Sequence, residues 1–514
     1  MIKRLLLIIT IISLMITPVS AEIVSFEGGL VLDPTLTENE YNYQEVLFIS
    51  GEPIIVTGIV QKPEIPTDQD TFNITYNFEL KNTEQNTAVD RTATYAVTKT
   101  KKDGYDQTTY KYELTALDET ITVGTTEYVL NSYLYNKSMI YDNTAAVDYF
   151  SGNMYLKRTY YTGSEAIPEN YDNKVVIEIT ASYDEGAMIG YNHLWGNAET
   201  YISKMTIEGE VPNPDYDAND ATSEPKLSWR GQVDLRASNQ KFSDFQYQST
   251  APQSISFVGS YVRVDEIEDV FQYTYDLPVF EDGAPTTKRN KGENSLRNDQ
   301  IVDGNSMVIP HFKDIGGHWS EENIFFLASL EIINNNSEFY GPDQPLTRIE
   351  FAEMISNSIA TIEERSQTDI IRALRPGATT MFNDIPNDYE FYNYVAFVYN
   401  NDIMSGYGNY FNPEDQITRA EVITIMINAL GLENRAPQLP FETRYDDDAS
   451  IPDWSKRFIY MADEINLVNG FPDNTIRPSS HVTRAEGAAM IKALIDHMKD
   501  NIRIDYREKI INRY

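Results

Sequence analysis

The sequence carries the stretch Thr483-Arg484-Ala485-Glu486 near its C-terminal end and repeats its pattern twice upstream. The earlier copies read Thr418-Arg419-Ala420-Glu421 and Thr347-Arg348-Ile349-Glu350. A proline stands five residues ahead of each threonine, and an apolar residue stands two residues ahead of each proline. So many coincidences in register are typical of an internal repeat of one supersecondary unit. The chain beyond residue 310 is therefore predicted to hold three copies of one module.

The threonine and the glutamate of each copy form the sequence pattern of a capping box. A threonine oxygen at the N-cap accepts from the amide of the third helical residue, and a glutamate there reaches back to the N-cap amide. Apolar residues at helical spacing follow at once, as at Val422, Ile425 and Met426. Each copy is therefore predicted to begin a helix whose cap is worth about 1 kcal/mol. The predicted capping residues are Thr347, Glu350, Thr418, Glu421, Thr483 and Glu486.

The arginine inside each box stands at the first helical position, where its charge opposes the positive end of the helix dipole. The local pattern gives this side chain no structural duty. Free amides at a helix N-terminus bind anions, and a guanidinium beside them suits a carboxylate or a phosphate. Arg348, Arg419 and Arg484 are thus predicted either to form anion sites or to pair with neighbouring acids at the surface.

Each copy also opens with an aromatic residue and an aspartate, followed by a helix and a loop. The openings are Phe312/Asp314, Phe382/Asp384 and Tyr445/Asp447, and the helices begin near Trp319, Phe391 and Trp454. Gly406 and Gly470 close two of the loops, with Asn334-Asn335-Asn336 in the first copy. A positive φ is the expected reason for these residue types. This pattern resembles the S-layer homology module, whose hallmarks are an aromatic-x-Asp start, a tryptophan-bearing helix, a glycine turn and a Thr-Arg-Ala-Glu box.

The resemblance implies a pseudo-three-fold helical arrangement whose inter-module grooves bind pyruvylated secondary cell wall polysaccharide. It also implies that the box arginine and the helix tryptophan grip the sugar and its ketal carboxylate. Carried onto this sequence, the polysaccharide-binding residues are Arg348, Arg419, Arg484, Trp319, Trp454 and Gly470. The second copy departs from the pattern because Asp388-Tyr389-Glu390 stands where tryptophan is expected. A working groove is therefore expected at the third copy rather than equally at all three.

The chain before residue 281 shows period-two alternation instead, as in Phe72, Ile74, Tyr76, Phe78 and Leu80, which is typical of half-buried strands. The fold class is thus predicted to be an N-terminal all-β region, an antiparallel sandwich or barrel, followed by the α-helical modules. The predicted divisions are a signal peptide at 1–21, a β-rich region of one or two domains at 22–280, a linker at 281–310, and modules at 311–364, 381–432 and 444–500.

Residues 1–21 have the order of a secretory signal peptide, with Lys3 and Arg4, an apolar stretch over 5–16, and small residues up to Ala21. An uncleaved anchor is the alternative, but a relaxed membrane span takes about 20 apolar residues. The expected location is secreted, at the cell wall or S-layer surface, with no membrane span in the mature chain. The chain has no cysteine, so disulfides, thiolate metal sites and thiol catalysis are excluded.

A net charge of −37 argues against nucleic acid as a partner, because the phosphate backbone would be repelled. No His-Glu-x-x-His pair is present, and no metal site or cofactor is predicted. The stretch 215–220 is rich in aspartate but lacks the glycine and the bidentate glutamate of a calcium loop, which leaves only loosely bound calcium open. Trp195 and Trp229, with His193, suit either a sandwich core or a carbohydrate-binding face, and core packing is favoured.

The predicted function is a non-enzymatic surface protein, anchored by the modules and displaying a β-rich structural or adhesive domain. An anchored extracellular hydrolase of polysaccharides or peptides is the alternative, since 78 acidic residues are too many to single out a catalytic pair. Self-association into a lattice is left open.

Overall fold

The computed structural model of the protein describes residues 29–37, 40–61, 69–102, 107–162, 173–181, 187–249, 259–360 and 382–502. Within them, the N-terminal part is built from strands and the C-terminal part from helices. The prediction of an antiparallel all-β region followed by a helical region is therefore confirmed. The predicted signal peptide lies outside the described residues.

One continuous antiparallel sheet takes in all fourteen of the described strands. Neighbours in sequence pair in order, except that β9 and β10 share one position between β8 and β11. The strands are β1 (Gly29–Thr37), β2 (Glu40–Leu47), β3 (Ile54–Gln61), β4 (Thr71–Asn82), β5 (Thr87–Lys101), β6 (Gln107–Val123), β7 (Thr126–Asn143), β8 (Val147–Tyr161), β9 (Lys174–Ala181), β10 (Ala187–His193), β11 (Gly196–Pro212), β12 (Lys226–Gln248), β13 (Ser260–Glu281) and β14 (Ala284–Ser306).

The alternating side chains of the strands divide into an outer polar face and an inner apolar face. In β4 the apolar set from Phe72 to Leu80 is buried, while Asn73, Asn77 and Glu79 are exposed. The sheet curls until β1 lies against β13 and β14. The inner side chains of β2 to β13 thereby join in one apolar cluster. Burial of one face of a strongly twisted sheet supplies the driving force for this curl.

The segment predicted as a linker, 281–310, is a strand for most of its length, and that prediction is wrong. β14 pairs with β13 from Ala284 opposite Glu281 to Ser306 opposite Val262. Asp282 and Gly283 join them with positive φ angles of 51° and 81°, as a two-residue hairpin requires. The segment lacks apolar alternation because β14 is an edge strand, whose described side chains are mostly exposed. Its backbone pairing, rather than burial, holds it in place.

A cluster of charged side chains lies inside the curled sheet. Both oxygens of Glu45 accept from Arg91 at 2.9 Å, and Arg158 Nη1 donates to Glu119 at 2.8 Å. Glu119 also accepts from Arg91 and from the Tyr160 hydroxyl. All four charged side chains are fully buried. Two positive and two negative charges therefore compensate one another in the interior, as buried ions must.

Beyond the sheet, six α-helices are present in the described part of the chain. They are α1 (Glu321–Ser329), α2 (Arg348–Ile359), α3 (Tyr392–Asn400), α4 (Arg419–Leu430), α5 (Asp453–Glu464) and α6 (Arg484–Asp500). The helices alternate between the first helix of each module (α1, α3, α5) and its capped helix (α2, α4, α6). None of the helices among the described residues is long and apolar enough to cross a lipid bilayer.

Candidate functional site

The opening aspartate of each module fixes the loop that precedes the capped helix. Asp314 accepts from the amides of Tyr340 at 2.9 Å and Gly341 at 2.7 Å. The equivalent pairs are Asp384 with Phe411 and Asn412, and Asp447 with Ile476 and Arg477. Gly341, Asn412 and Arg477 all have positive φ. The aspartate therefore holds a strained turn in every module by accepting two charge-assisted hydrogen bonds.

The capped helices begin as their sequence pattern predicts. Thr347, Thr418 and Thr483 each accept from the amide of the glutamate three residues on. The side chains of Glu350, Glu421 and Glu486 reach back to the threonine amides at 3.0, 2.8 and 2.9 Å. Both halves of the capping box are present in all three modules.

Backbone hydrogen bonds join the three modules in a closed ring. The amide of Leu346 donates to Val482, that of Val482 to Ile417, and that of Ile417 to Leu346, at 2.8 to 3.0 Å. These residues immediately precede the three capping threonines. The capped helices consequently start close together around one point, and their first residues face the neighbouring modules.

Arg348 reaches from the first module into the loop of the second. Its Nε donates to the Phe411 carbonyl at 3.0 Å, its Nη2 to the Ser405 carbonyl at 2.8 Å, and its Nη1 to Glu421 at 3.1 Å. The residue is only 4% exposed. The expectation that the box arginine has no structural duty is therefore wrong, because this side chain clamps one module to the next.

Arg484 closes the ring from the third module to the first. Its Nη1 donates to the Tyr340 carbonyl at 2.7 Å and to Gln344 at 3.1 Å, and its Nη2 forms an ion pair with Glu350. Its side chain remains 27% exposed, so solvent and ligands reach it. The capping glutamate thus has a second duty, since it also holds the arginine of the preceding module in the ring.

Arg419 reaches from the second module into the third, but with fewer partners. Its Nη2 donates to the Asn469 carbonyl at 3.0 Å, and its guanidinium lies 5.0 Å from the centre of the Phe471 ring. Its Nε is buried and has no hydrogen-bond acceptor among the described residues. Burial lowers the pKa of Arg419 from its usual value, and the charge of Glu486 opposes that shift. Arg419 is thus a 91%-buried cation with an unfilled donor.

Each predicted tryptophan belongs to a module whose first helix packs against the capped helix of another module. α1 packs against α6, and Ser320, next to Trp319, donates to the Ala485 carbonyl at 3.1 Å. α5, which contains Trp454, packs against α4, the helix that begins at Arg419. Trp319 and Trp454 are 64% and 54% exposed. Both indole rings are therefore open to solvent.

The junction of the first and second modules differs from the other two. Tyr389 takes the place of tryptophan there and is half-buried, packed against Phe391. Burial raises the pKa of Glu353 to about 7, and the neighbouring charges of Glu350 and Glu390 add to the shift. This junction is therefore acidic, and its arginine is enclosed.

Three further exposed aromatic residues near the starts of the capped helices were not singled out in the sequence. Phe339, Tyr407 and Tyr410 are each more than half exposed, and the Tyr407 hydroxyl donates to Glu421. Phe339 and Tyr410 each stand directly before a residue whose amide donates to the opening aspartate of its module. This position in the repeat makes them recognisable in the sequence.

The loop glycines serve a different purpose from the predicted one. Gly406 and Gly470 are absent from the positive-φ residues of the described chain. A Cβ at Gly470 would lie 2.6 Å from the Tyr445 ring, and one at Gly406 would lie 2.3 Å from the Phe382 ring. Left-handed residues do follow the first helix of each module, at Glu331, Asp402 and Asn466. Glycine is needed because the opening aromatic ring contacts the loop backbone.

The candidates in the sheet do not form a comparable site. Trp195 and Trp229 are buried, as the core interpretation expects, and burial lowers the pKa of His193 to about 3. The aspartates of 215–220 are exposed, and Asp217 and Asp220 accept from Asn219 and Thr222 of their own turns. No group of three or more metal-ligating side chains is found within the described residues.

Comparison with known protein families identifies the repeated modules. Residues 311–352, 382–423 and 444–488 each match the model of the S-layer homology domain. The prediction of three tandem modules of this kind is confirmed. The matched segments begin at the opening aromatic of each copy or one residue before it, and they extend into its capped helix.

Known relatives share only part of their length with this chain. An exoglucanase of Acetivibrio thermocellus is 31% identical over 187 residues, which is 36% of this chain and 16% of that protein. An amylopullulanase of Thermoanaerobacterium thermosulfurigenes is 29% identical over 187 residues, or 36% and 9%. A surface layer protein of Brevibacillus choshinensis is 41% identical over 90 residues, or 17% and 8%. The chain thus spans less than a fifth of each of these relatives.

Proposed function

We propose that the three S-layer homology modules anchor this chain non-covalently to the cell wall by binding an acidic, pyruvylated polysaccharide. The β-sheet is then the part that the anchor displays, as a structural or adhesive domain. The three modules and the similarity to surface layer proteins support a location at the cell surface. The closed ring of backbone contacts supports a pseudo-three-fold unit with one groove at each junction.

Two observations at the junction of the second and third modules carry this proposal, namely the buried Arg419 and the exposed Trp454 on the helix that packs against α4. A buried guanidinium with an unfilled donor is costly, because the group has lost water without gaining an acceptor. A ketal carboxylate that enters this junction would give the guanidinium a further, charge-assisted hydrogen bond. The exposed indole of Trp454 offers an apolar face to the sugar ring that bears the carboxylate.

The other two junctions are ranked lower by the same reasoning. At the junction of the third and first modules, Trp319 is exposed, but Arg484 already pairs with Glu350, so a ligand carboxylate must compete with that glutamate. At the junction of the first and second modules, Arg348 already donates to three oxygens, and Glu353 and Glu390 would repel an acidic glycan. The junction of the second and third modules is therefore the principal site in our proposal.

The net negative charge of the chain is consistent with binding of an acidic polysaccharide only if the attraction between them acts at short range. A chain of charge −37 repels an acidic polymer at long range, but salt at physiological strength screens charges beyond about 8 Å. We therefore expect a slow association that moderate salt accelerates. Contacts at the arginine and the indole act inside the screening distance.

Co-sedimentation of the full chain with purified cell walls tests the proposal. Wild-type protein should pellet with intact walls and stay soluble once the secondary polysaccharide has been removed chemically. Arg419→Gln should weaken pelleting about 10- to 100-fold, which is the range for loss of a hydrogen bond to a charged group. Equal pelleting of the wild type with both wall preparations would contradict a polysaccharide ligand.

Arg348→Gln is the matched control, because it removes the same group from the junction without an exposed tryptophan. Its wall affinity should stay within about threefold of wild type, although loss of its three hydrogen bonds should lower its unfolding temperature more than Arg419→Gln does. Binding lost in Arg348→Gln but kept in Arg419→Gln would reverse our ranking of the junctions.

An anchored hydrolase is the second candidate, because two relatives are named as glycosidases. The same chain also resembles a surface layer protein, and a segment common to proteins with such different names suits attachment better than catalysis. The enclosed carboxylates of the sheet do not favour an enzyme, since burial against two arginines leaves Glu119 ionised and inaccessible. Turnover of a polysaccharide or peptide by the full chain, abolished by one carboxylate substitution, would favour the hydrolase.

A further inference from the structure

The turns at one end of the sheet contact the C-terminal ends of the capped helices. Trp195 lies in the turn between β10 and β11, and its indole Nε1 donates to the Ser358 carbonyl in the last turn of α2 at 3.0 Å. Ala146 lies in the turn between β7 and β8, and its amide donates to the Ala429 carbonyl in the last turn of α4 at 2.9 Å. Two different turns of the sheet thus donate to two different helix ends.

These donors fill a need that the helices cannot meet themselves. The last four carbonyls of a helix have no partner within it, and a helix end that is buried without partners is unfavourable. Neither α2 nor α4 has a basic residue in its last turn. Thr144 also lies so close to Gly431, the left-handed cap of α4, that a Cβ there would be 2.4 Å from its methyl group. The sheet therefore acts as a cap for both helices.

An aromatic layer extends the same contact to α1 and α6. The Phe326 ring of α1 packs edge-on against Phe245 and Tyr261, with ring centres 5.2 Å apart in both pairs. Lys499 of α6 lies 3.6 Å from Asp244 and 5.1 Å from the centre of the Phe245 ring. The apolar core of the modules is continuous with Val147, Tyr149 and Trp195 of the sheet.

We propose that this end of the sheet is a fixed seat for the ring of modules, so that sheet and modules unfold as one cooperative unit. The seat consists of residues 144–147, 193–195, 244–247 and 261. Because α2 and α4 each have 12 residues, their arginine-bearing N-terminal ends lie about 18 Å from the seat, on the side away from the sheet. The proposal does not depend on which ligand the modules bind.

Hydrogen exchange of the full chain, measured by mass spectrometry at increasing urea, tests the cooperative unit. Peptides from α4 and from β5 should lose protection at the same urea concentration, because neither half persists without the other. Trp229→Phe perturbs the sheet interior away from the seat. In this variant the urea midpoints of the two peptides should shift by the same amount and so remain equal to each other. Protection lost at two separate urea concentrations in the wild type would overturn the proposal.

Trp195→Phe tests the seat itself and has Trp229→Phe as its matched control. Both indoles are buried, but Nε1 of Trp229 has no hydrogen-bond partner among the described residues, whereas that of Trp195 caps α2. The quantity to measure is the rate of amide exchange in the last turn of α2 divided by the rate in β5, in the absence of urea. This ratio should rise roughly tenfold in Trp195→Phe. The ratio should be unchanged in Trp229→Phe. An unchanged ratio in Trp195→Phe would show that the helix end does not depend on the sheet.

Discussion

Replacing Glu119 by glutamine should remove about 3 kcal/mol from the free energy of unfolding at pH 7. Ion pairs with Arg91 and Arg158 and the hydrogen bond from Tyr160 outweigh burial and lower the pKa of Glu119 from 4.5 to about 2. The charged form of Glu119 therefore stabilises the folded state by roughly 3 kcal/mol at pH 7. Removal of one member of a buried ion pair typically costs 3–5 kcal/mol, which agrees with that figure.

The pH dependence of this effect has a definite sign. Because the folded-state pKa is the lower one, the stabilisation is fully present above pH 4.5 and is lost as the pH falls towards 2. At pH 3 the difference in unfolding free energy between wild type and Glu119→Gln should shrink to less than half of its value at pH 7. Urea unfolding followed by circular dichroism at pH 7 and pH 3 measures both values.

Glu178→Gln serves as the control for Glu119→Gln. Glu178 pairs with Lys157 at 3.2 Å on the outer face of the sheet, where both side chains are more than a third exposed. An exposed pair contributes about 0.2–1 kcal/mol, so this variant should unfold almost as the wild type does. A loss below 1 kcal/mol for Glu119→Gln at pH 7, or a loss that is equal at both pH values, would refute the reasoning.

Two further predictions concern the modules. Thr483→Ala should lower the free energy of unfolding by about 1 kcal/mol, because the Glu486 amide loses its acceptor, and thermal unfolding measures this loss. Thr483→Ser, which keeps the oxygen, should recover most of it. Gly470→Ala should cost about 1–3 kcal/mol, because the new Cβ would press on Tyr445. Gly316→Ala, where a Cβ meets nothing within 4 Å, should stay within about 0.5 kcal/mol of wild type in the same assay.

The sequence predicts the features of the modules that depend on neighbours along the chain. A capping box needs only Thr483 and Glu486 three residues apart, so its pattern is readable without the fold. The role of Arg348 is not local in this sense. Its partners Ser405 and Phe411 belong to the next module and meet it only when the ring has closed. From the sequence alone, the positive charge of an arginine at a helix start therefore indicates an anion site. In the structure, Arg348 instead holds one module to the next.

The same distinction explains the error in the segment after residue 280. Strand prediction relies on alternating burial, and β14 has little apolar surface to alternate. Its conformation is set by the long backbone ladder to β13, which includes Leu296 opposite Phe271. The Asp282-Gly283 pair was the one local sign of a hairpin. A linker and a polar edge strand have similar composition, and only the presence of a pairing partner separates them.

The closed ring of contacts has a consequence for how such a protein can change in evolution. In an open array of repeats, each unit meets only its neighbours, and copies are gained or lost at the ends. Here Arg484 of the last module enters the first, 134 residues away from Glu350, so the series has no free end. Deleting one module would break two junctions at once, and a fourth copy would find no loop for its arginine. We therefore expect lineages to inherit these modules as an indivisible set of three.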